Sequence, residues 1–99
     1  MAKNRLYEDD VLVIGLGRFG AEAALELHRL GHKVVAIEKD PRLAETFSTQ
    51  LDRVILGDSC EPAVIEACRA SQFKRAVIGI DSSIESSVLT AGNLIDAGI

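Results

Sequence analysis

The sequence lacks the features that mark membrane-spanning, secreted and nucleic-acid-binding proteins. Its longest apolar stretches, such as Val11 to Leu16, have only the length of a strand, and the segment from Met1 to Asp10 is mostly polar. Neither a transmembrane span nor a secretory signal is therefore expected. Eleven lysines and arginines stand against fifteen aspartates and glutamates without forming a basic block, for a net charge of -4. This balance argues against a nucleic-acid surface and favours a cytosolic domain with small-molecule or protein partners.

The residues that usually carry catalysis or bind metals are few. Cys60 and Cys68 lie eight residues apart in one predicted helix, about 12 Å along its axis and too far for a disulfide, so both are expected to be small apolar residues. His28 and His32 fall in and just after the first predicted helix, where we expect surface residues. The sequence has no Tyr-x-x-x-Lys pair of the short-chain dehydrogenase type and no cluster of ligands at metal spacing. We therefore expect neither catalytic residues nor a metal site.

Short β-branched runs alternate along the chain with longer amphipathic ones. The predicted strands, nearly continuous in valine and isoleucine as expected for strands buried on both faces, are Val11 to Gly15, Lys33 to Glu38, Val54 to Leu56 and Ala76 to Ile80. The predicted helices are Phe19 to Leu30, Pro41 to about Gln50, one opening near Glu61 and Pro62, and one running from the serines at 82–87 to Gly98. Four strand–helix units predict an α/β fold, a Rossmann-like doubly wound parallel sheet of order 3-2-1-4.

Two helix starts carry recognisable capping signals. Asp40 is predicted to cap the second helix, with Pro41 in its first turn. Either Ser82 or Ser83 is predicted to cap the fourth helix, and the sequence does not choose between them. Asp81, at the end of the fourth strand, is interpreted as a cap rather than a ligand contact.

The glycine-rich segment between the first strand and the first helix is Gly15-Leu16-Gly17-Arg18-Phe19-Gly20. Gly15 permits a tight turn, Gly17 lets the backbone approach a pyrophosphate, and Gly20 allows close packing of helix on strand. The amides of the helix N-terminus then provide donors for phosphates. Arg18 either pairs with phosphate oxygens or is an exposed arginine of the first turn. The segment predicts a nucleotide site, and the alternative is a tight turn without a ligand.

Glu38 ends the second strand, 21 residues after Gly17. A carboxylate there can accept hydrogen bonds from an adenosine ribose and would repel a 2'-phosphate, so NAD(H), ADP, ATP or AMP are favoured over NADP. Lys39 and Arg42 can in principle grip a 2'-phosphate, although a solvated helix start is the preferred interpretation.

Asp58 follows Gly57 at the end of the third strand, on the edge of the sheet where an adenine would lie. It either accepts from the adenine amino group or caps the next helix, and both alternatives stay open. Ser59 shares the site in either case.

These motifs, together with the segment Glu26 to His32 and the Gly57-Asp58-Ser59 turn, resemble the nucleotide-binding RCK domain, also called KTN or TrkA-N. The resemblance covers residues 9–99 and is strongest to the regulatory subunits of Ktr/Trk potassium uptake systems. It implies that NAD(H), ADP or ATP is bound, that the domain forms homo-oligomeric rings, and that it gates an integral membrane potassium-translocating subunit from the cytoplasmic face. The candidate cofactor-binding residues are Gly15, Gly17, Arg18, Phe19, Gly20, Glu38, Lys39, Asp58 and Ser59.

The domain organisation follows from the same pattern. We expect residues 1–8 to be a flexible lead-in and residues 9–99 to form one nucleotide-binding domain. Family members continue through further strands and a C-terminal lobe. The sequence ends where a fifth strand would begin, so we expect an N-terminal fragment of a longer protein, or an apolar edge at Val77 to Ile80 that another subunit covers.

The preferred functional interpretation is a binding module that senses an adenine nucleotide and passes its state to a potassium transporter or channel. Glu38 replaces the aspartate more usual in the Ktr branch, which leaves the choice of nucleotide open. The alternative is the cofactor-binding half of an NAD-dependent oxidoreductase. A third interpretation, the adenosylmethionine site of a methyltransferase, fits less well because such sites prefer a Gly-x-Gly-x-Gly loop.

Overall fold

A computed structural model describes residues 10–80 and 83–99. In chain order the elements are β1 (Val11–Ile14), α1 (Arg18–Arg29), β2 (Val34–Glu38), α2 (Pro41–Ser48), β3 (Arg53–Leu56), α3 (Pro62–Ala67), a 3-10 turn (Ala70–Gln72), β4 (Arg75–Ile78) and α4 (Ile84–Asp96). The lead-in predicted for residues 1–8 and the roles predicted for Asp81 and Ser82 lie outside the described residues. No helix of the described residues is long and apolar enough to cross a bilayer.

The four strands form one parallel sheet in the order β3-β2-β1-β4, which confirms the predicted topology. Val11 of β1 lies opposite Val34 of β2 on one side and Arg75 of β4 on the other. The two central strands, β1 and β2, are buried along their whole length, whereas β3 and β4 form the outer edges. The nearly continuous valine and isoleucine content of β1 and β2 is explained by this burial, because both faces of a central parallel strand are covered.

Alternate residues of β1 and β2 supply two separate cores, because successive side chains of a strand point to opposite faces. Leu12 and Ile14 pack with residues of α3 and α4 such as Ile65 and Leu94. Val13 points to the opposite face of the sheet. There it forms the second core with residues of α1, α2 and the loops beside them. Helices therefore cover both sides of the sheet, as predicted for a doubly wound fold.

Two predicted helix caps are present in the structure. The Asp40 side chain accepts a hydrogen bond from the Arg42 amide at 2.9 Å, and Pro41 occupies the first turn of α2. For α4 the cap is Ser83, whose Oγ accepts from the Ser86 amide at 3.2 Å. Most strand and helix ends lie within one or two residues of their predicted positions.

The third helix is shorter than expected, and this corrects the placement of the cysteines. Helix α3 begins at Pro62 after an extended Glu61 and ends at Ala67, so Cys60 lies before the helix and Cys68 is its C-terminal cap. The prediction that both cysteines lie in one helix is wrong, because proline fits the first turn and fixes the start two residues after Cys60. Both are free thiols, and Cys68 is buried.

Candidate functional site

A cavity of about 190 Å³ lies at the carboxyl ends of the strands. Residues that follow all four strands line it, which is where ligands bind in open α/β sheets, beside the strand at which the order reverses. That strand is β1, with β2 on one side and β4 on the other. Six of the nine candidate residues line the cavity, namely Gly15, Gly17, Glu38, Lys39, Asp58 and Ser59.

The glycine loop brings the start of α1 against the chain that follows β4. Gly15 has a φ of 91°, in the region that favours glycine. A Cβ added at Gly20 would overlap the carbonyl oxygen of Gly15, and one added at Gly79 would lie 2.7 Å from the Gly20 Cα. Gly20 is buried and does not line the cavity, so its role is the close packing that the sequence predicted. Sequence reasoning missed Gly79, which was read only as part of a strand.

The N-terminus of α1 faces this loop with its amides uncapped. Gly17 is the N-cap residue, no side chain accepts a hydrogen bond from the first turn, and that turn contains no acidic residue. The first amides of a helix have no acceptor within the helix, and they carry partial positive charge. An anion placed beside Gly17 would therefore find donors that the protein does not use itself.

Arg18 and Phe19 begin α1 and are both exposed, with Phe19 at 60%. Neither lines the cavity. The two interpretations of Arg18, as a phosphate partner or as an exposed residue of the first turn, both remain predictions. Phe19 turns a large apolar side chain to solvent beside the glycine loop.

Glu38 is buried, at 8% exposure, and its carboxylate joins two parts of the site. Oε1 accepts from the Leu16 amide of the glycine loop at 2.6 Å, and Oε2 accepts from the Asp40 amide before α2 at 2.8 Å. A carboxylate offers about four lone-pair positions. Glu38 can thus hold the glycine loop against the end of β2 and still accept hydrogen bonds from a ligand.

Asp58 belongs to a tight turn rather than to a helix cap. Its Oδ1 accepts from the Cys60 amide at 2.9 Å, and its carbonyl oxygen accepts from the Glu61 amide at 3.0 Å. The N-cap of α3 is Glu61, with no side-chain capping bond. The capping alternative for Asp58 is therefore wrong, since the turn places Asp58 three residues before the N-cap. Its carboxylate instead shapes the cavity wall.

Ser59 is tied to α4 by two hydrogen bonds that sequence reasoning missed. Its Oγ lies 2.8 Å from Thr90 Oγ1, and its carbonyl oxygen accepts from Asn93 Nδ2 at 3.0 Å. The only hint in the sequence is a threonine and an asparagine three residues apart in the stretch Val88 to Ile95, whose other residues are apolar or glycine. Ser59 lines the cavity, with its hydroxyl engaged by α4.

The histidines lie away from this cavity. His28 is exposed, and its Nδ1 lies 3.3 Å from Asp52 Oδ2, near the amino ends of the strands. Asp52 Oδ2 also accepts from the Val34 amide. On the same helix, Arg29 hydrogen-bonds Glu26 and thereby lowers the pKa of that exposed carboxyl. These are surface contacts of α1, as predicted for His28.

A protein-family model allows the whole chain to be compared with known proteins. The model of the TrkA-N domain matches residues 11–97, which is nearly the whole chain and includes every residue that lines the cavity. The chain belongs to the TrkA-N domain family.

Several proteins are similar to this TrkA-N chain. Ktr system potassium uptake protein A of Bacillus subtilis is 28% identical over 87% of the chain and 39% of its own length. Ktr system potassium uptake protein C of the same organism is 29% identical over 88% of the chain and 39% of its own length. The chain thus spans about two fifths of the length of these curated relatives.

Two further similarities are of other kinds. The FAD-dependent monooxygenase notI of an Aspergillus species is 53% identical over 63% of the TrkA-N chain, but over only 15% of its own length. The structure of chuY from Escherichia coli CFT073 superposes with a TM-score of 0.60 and 26% identity, covering 92% of this chain and 44% of that one. The latter is consistent with a Rossmann-like fold for the TrkA-N chain.

Proposed function

We propose that this TrkA-N chain is a regulatory domain that binds an adenine nucleotide, NAD(H), ADP or ATP, and gates a membrane potassium transporter or channel. The observation that carries the proposal is the cavity at the carboxyl ends of the strands, where uncapped α1 amides and the buried Glu38 carboxylate meet. The likeness to Ktr potassium uptake proteins supports the regulatory role.

The proposed binding mode assigns one part of the nucleotide to each wall. The phosphates lie on the α1 amides at Gly17, the ribose hydroxyls donate to Glu38, and the adenine lies along the turn from Asp58 to Cys60. The cavity, at about 190 Å³, is smaller than the roughly 300–1,000 Å³ of typical ligand sites. The nucleotide therefore extends beyond it, with its phosphates over the start of α1, where Arg18 is exposed.

Gating would work by differential affinity. A nucleotide that binds one conformation of a homo-oligomer more tightly shifts the population towards that conformation. The size of the shift is set by the difference between its affinities for the two conformations. The partner proposed here is an integral membrane potassium-translocating subunit, with the TrkA-N chain at the cytoplasmic face of the membrane. No chemical step on the nucleotide is proposed.

Calorimetric titration of the purified protein with ATP, ADP, AMP, NAD, NADH and NADP tests the proposal. We expect binding of several adenine nucleotides and weaker binding of NADP. Glu38→Ala should weaken every ribose-containing ligand by about tenfold or more, because the charge-assisted hydrogen bonds to the Leu16 and Asp40 amides and those to the ribose are lost. Glu38→Asp, which keeps the charge, is the matched variant and should lose less. Equal affinities for the wild type and Glu38→Ala would contradict the proposed site.

A second candidate is the cofactor-binding half of an NAD-dependent oxidoreductase. The partial match to an FAD-dependent monooxygenase favours this oxidoreductase class. Such an enzyme would need a general acid or base and a substrate pocket beside the nicotinamide. Hydride transfer from NADH by the full-length protein would establish this candidate, and nucleotide-dependent potassium flux through a partner would establish the first.

A further inference from the structure

The cavity wall formed by Asp58, Ser59 and Cys60 is attached to α4. The Ser59 hydroxyl and the Ser59 carbonyl are bonded to Thr90 and Asn93, across 31 and 34 residues of chain. Cys60 Sγ also lies 3.8 Å from the Ser86 carbonyl oxygen. The turn is thus held from the side of α4 at two successive residues.

The contact between Ser59 and Thr90 is deeply buried. Thr90 is 0% exposed and Ser59 is 5% exposed, and the only other buried polar or charged side chain among the described residues is Glu38. A buried hydroxyl that loses its partner is costly, so the two hydroxyls specify one arrangement of the turn against the helix. Two of the three buried polar groups therefore serve a connection between the cavity wall and α4.

All three residues of the turn line the cavity, and Ser59 is also held by α4. Asp58 and Cys60 both line the cavity, and Asp58 Oδ1 accepts from the Cys60 amide. A displacement of Ser59 would therefore move both neighbours. The opposite face of α4 is open, with Ile84, Val88 and Ile95 exposed at 85%, 63% and 69%.

We propose that Thr90 and Asn93 are positioning residues for nucleotide binding, and that through them α4 responds to occupation of the cavity. They fix Ser59 so that Asp58 and Cys60 present the adenine edge of the site. This inference rests on the proposed nucleotide-binding function and names the element that carries its effect to the surface. Because coupling is reciprocal, a partner that binds α4 more tightly when the cavity is occupied raises nucleotide affinity by the same factor.

Titration of ADP into Thr90→Val tests the positioning role. Valine keeps the shape of threonine and removes the hydroxyl, and we expect about fivefold weaker binding from the loss of one hydrogen bond. Thr90→Ser should restore affinity. Thr46→Val is the matched control, because Thr46 is exposed on α2 and its hydroxyl bonds only the Arg42 carbonyl oxygen. It should bind ADP like the wild type.

The double variant Ser59→Ala/Thr90→Val distinguishes an effect on the position of the turn from an effect on the stability of the protein. It removes both hydroxyls, so no buried group is left without a partner and the protein should fold. Its ADP affinity should remain weakened because the hydroxyl pair no longer holds the turn against α4. Wild-type affinity in the double variant would overturn the inference, since the loss in Thr90→Val would then come from the orphaned Ser59 hydroxyl.

Hydrogen exchange provides a readout that a purely structural role would not move. In the wild type, ADP should slow exchange of the α4 amides, and Thr90→Val should reduce that slowing at saturating ADP. Wild-type protein that binds ADP with no change in α4 would overturn the inference alone. Wild-type protein that binds no adenine nucleotide would overturn the proposed function and the inference together.

Discussion

Both ends of the parallel sheet carry a cavity, and the two cavities are built differently. The one at the carboxyl ends, of about 190 Å³, is lined by glycine backbone, the buried Glu38 and a hydrogen-bonded turn. The one at the amino ends, of about 480 Å³, is larger and lined by exposed charged side chains, including Lys33, Arg53 and Arg69. Volume alone would therefore select the amino-end cavity as the ligand site.

The difference follows from the direction of the chain. In a sheet of parallel strands with helical crossovers, helix N-termini gather at the carboxyl edge and helix C-termini at the amino edge. The carboxyl edge therefore collects helix amides, of which those of α1 have no side-chain cap and suit phosphates, whereas the amino edge collects carbonyl groups that suit cations. The cations around Cys68, the C-terminal cap of α3, fit this second role. Hydrogen-bond donors that converge from fixed positions therefore indicate a ligand site better than cavity volume does.

The largest expected effect is at the close approach on which the carboxyl-end cavity depends. Gly20→Ala forces a Cβ into the Gly15 carbonyl oxygen, so we expect about 3 kcal/mol of destabilisation and loss of nucleotide binding. Gly92→Ala is the matched control. Gly92 is an exposed glycine within α4 with nothing within 4 Å of the added Cβ, and alanine there should stabilise by about 1 kcal/mol. Urea unfolding measures both, and equal stabilities would contradict this account of the loop.

The sequence predicted local features better than distant ones. The strands, the cap of α2 and the glycine loop could be predicted because their signals act within a few residues, and the strand order followed from the repeated strand–helix pattern of the chain. The start of α3 at Pro62 was likewise predicted from a local signal, but Cys60 and Cys68 were wrongly placed inside that helix, which they flank. Thr90, Asn93 and Gly79 could not be assigned, because their contacts join segments brought together only by folding.

The two cysteines offer a second test, since Cys60 lines the carboxyl-end cavity and Cys68 the amino-end one. Burial raises the pKa of the Cys68 thiol, so at a given pH less of the reactive thiolate is present, and reaction requires higher pH. We expect Cys60 to be alkylated about tenfold faster or more at neutral pH. Bound ADP should slow alkylation of Cys60 and leave Cys68 unchanged.

Peptide mass spectrometry of alkylated protein distinguishes the two thiols, and the single variants Cys60→Ser and Cys68→Ser are the controls. In Cys60→Ser, the rate of the remaining thiol should rise with pH beyond the usual thiol range. Protection of Cys68 by ADP would instead point to binding at the amino end, or to a change that reaches both ends.

The smallest expected effect distinguishes a positive charge at the nucleotide site from the net charge of the protein. Arg18→Ala removes a cation at the start of α1 and should weaken ATP by about fivefold, with a smaller loss for AMP, because ATP places more phosphate charge there. Arg53→Ala removes the same charge at the amino end and should leave both affinities unchanged. Arg18 is exposed, so its contribution should shrink as salt is raised in the titrations. An equal loss in Arg53→Ala would show that ATP responds to net charge rather than to the carboxyl-end site.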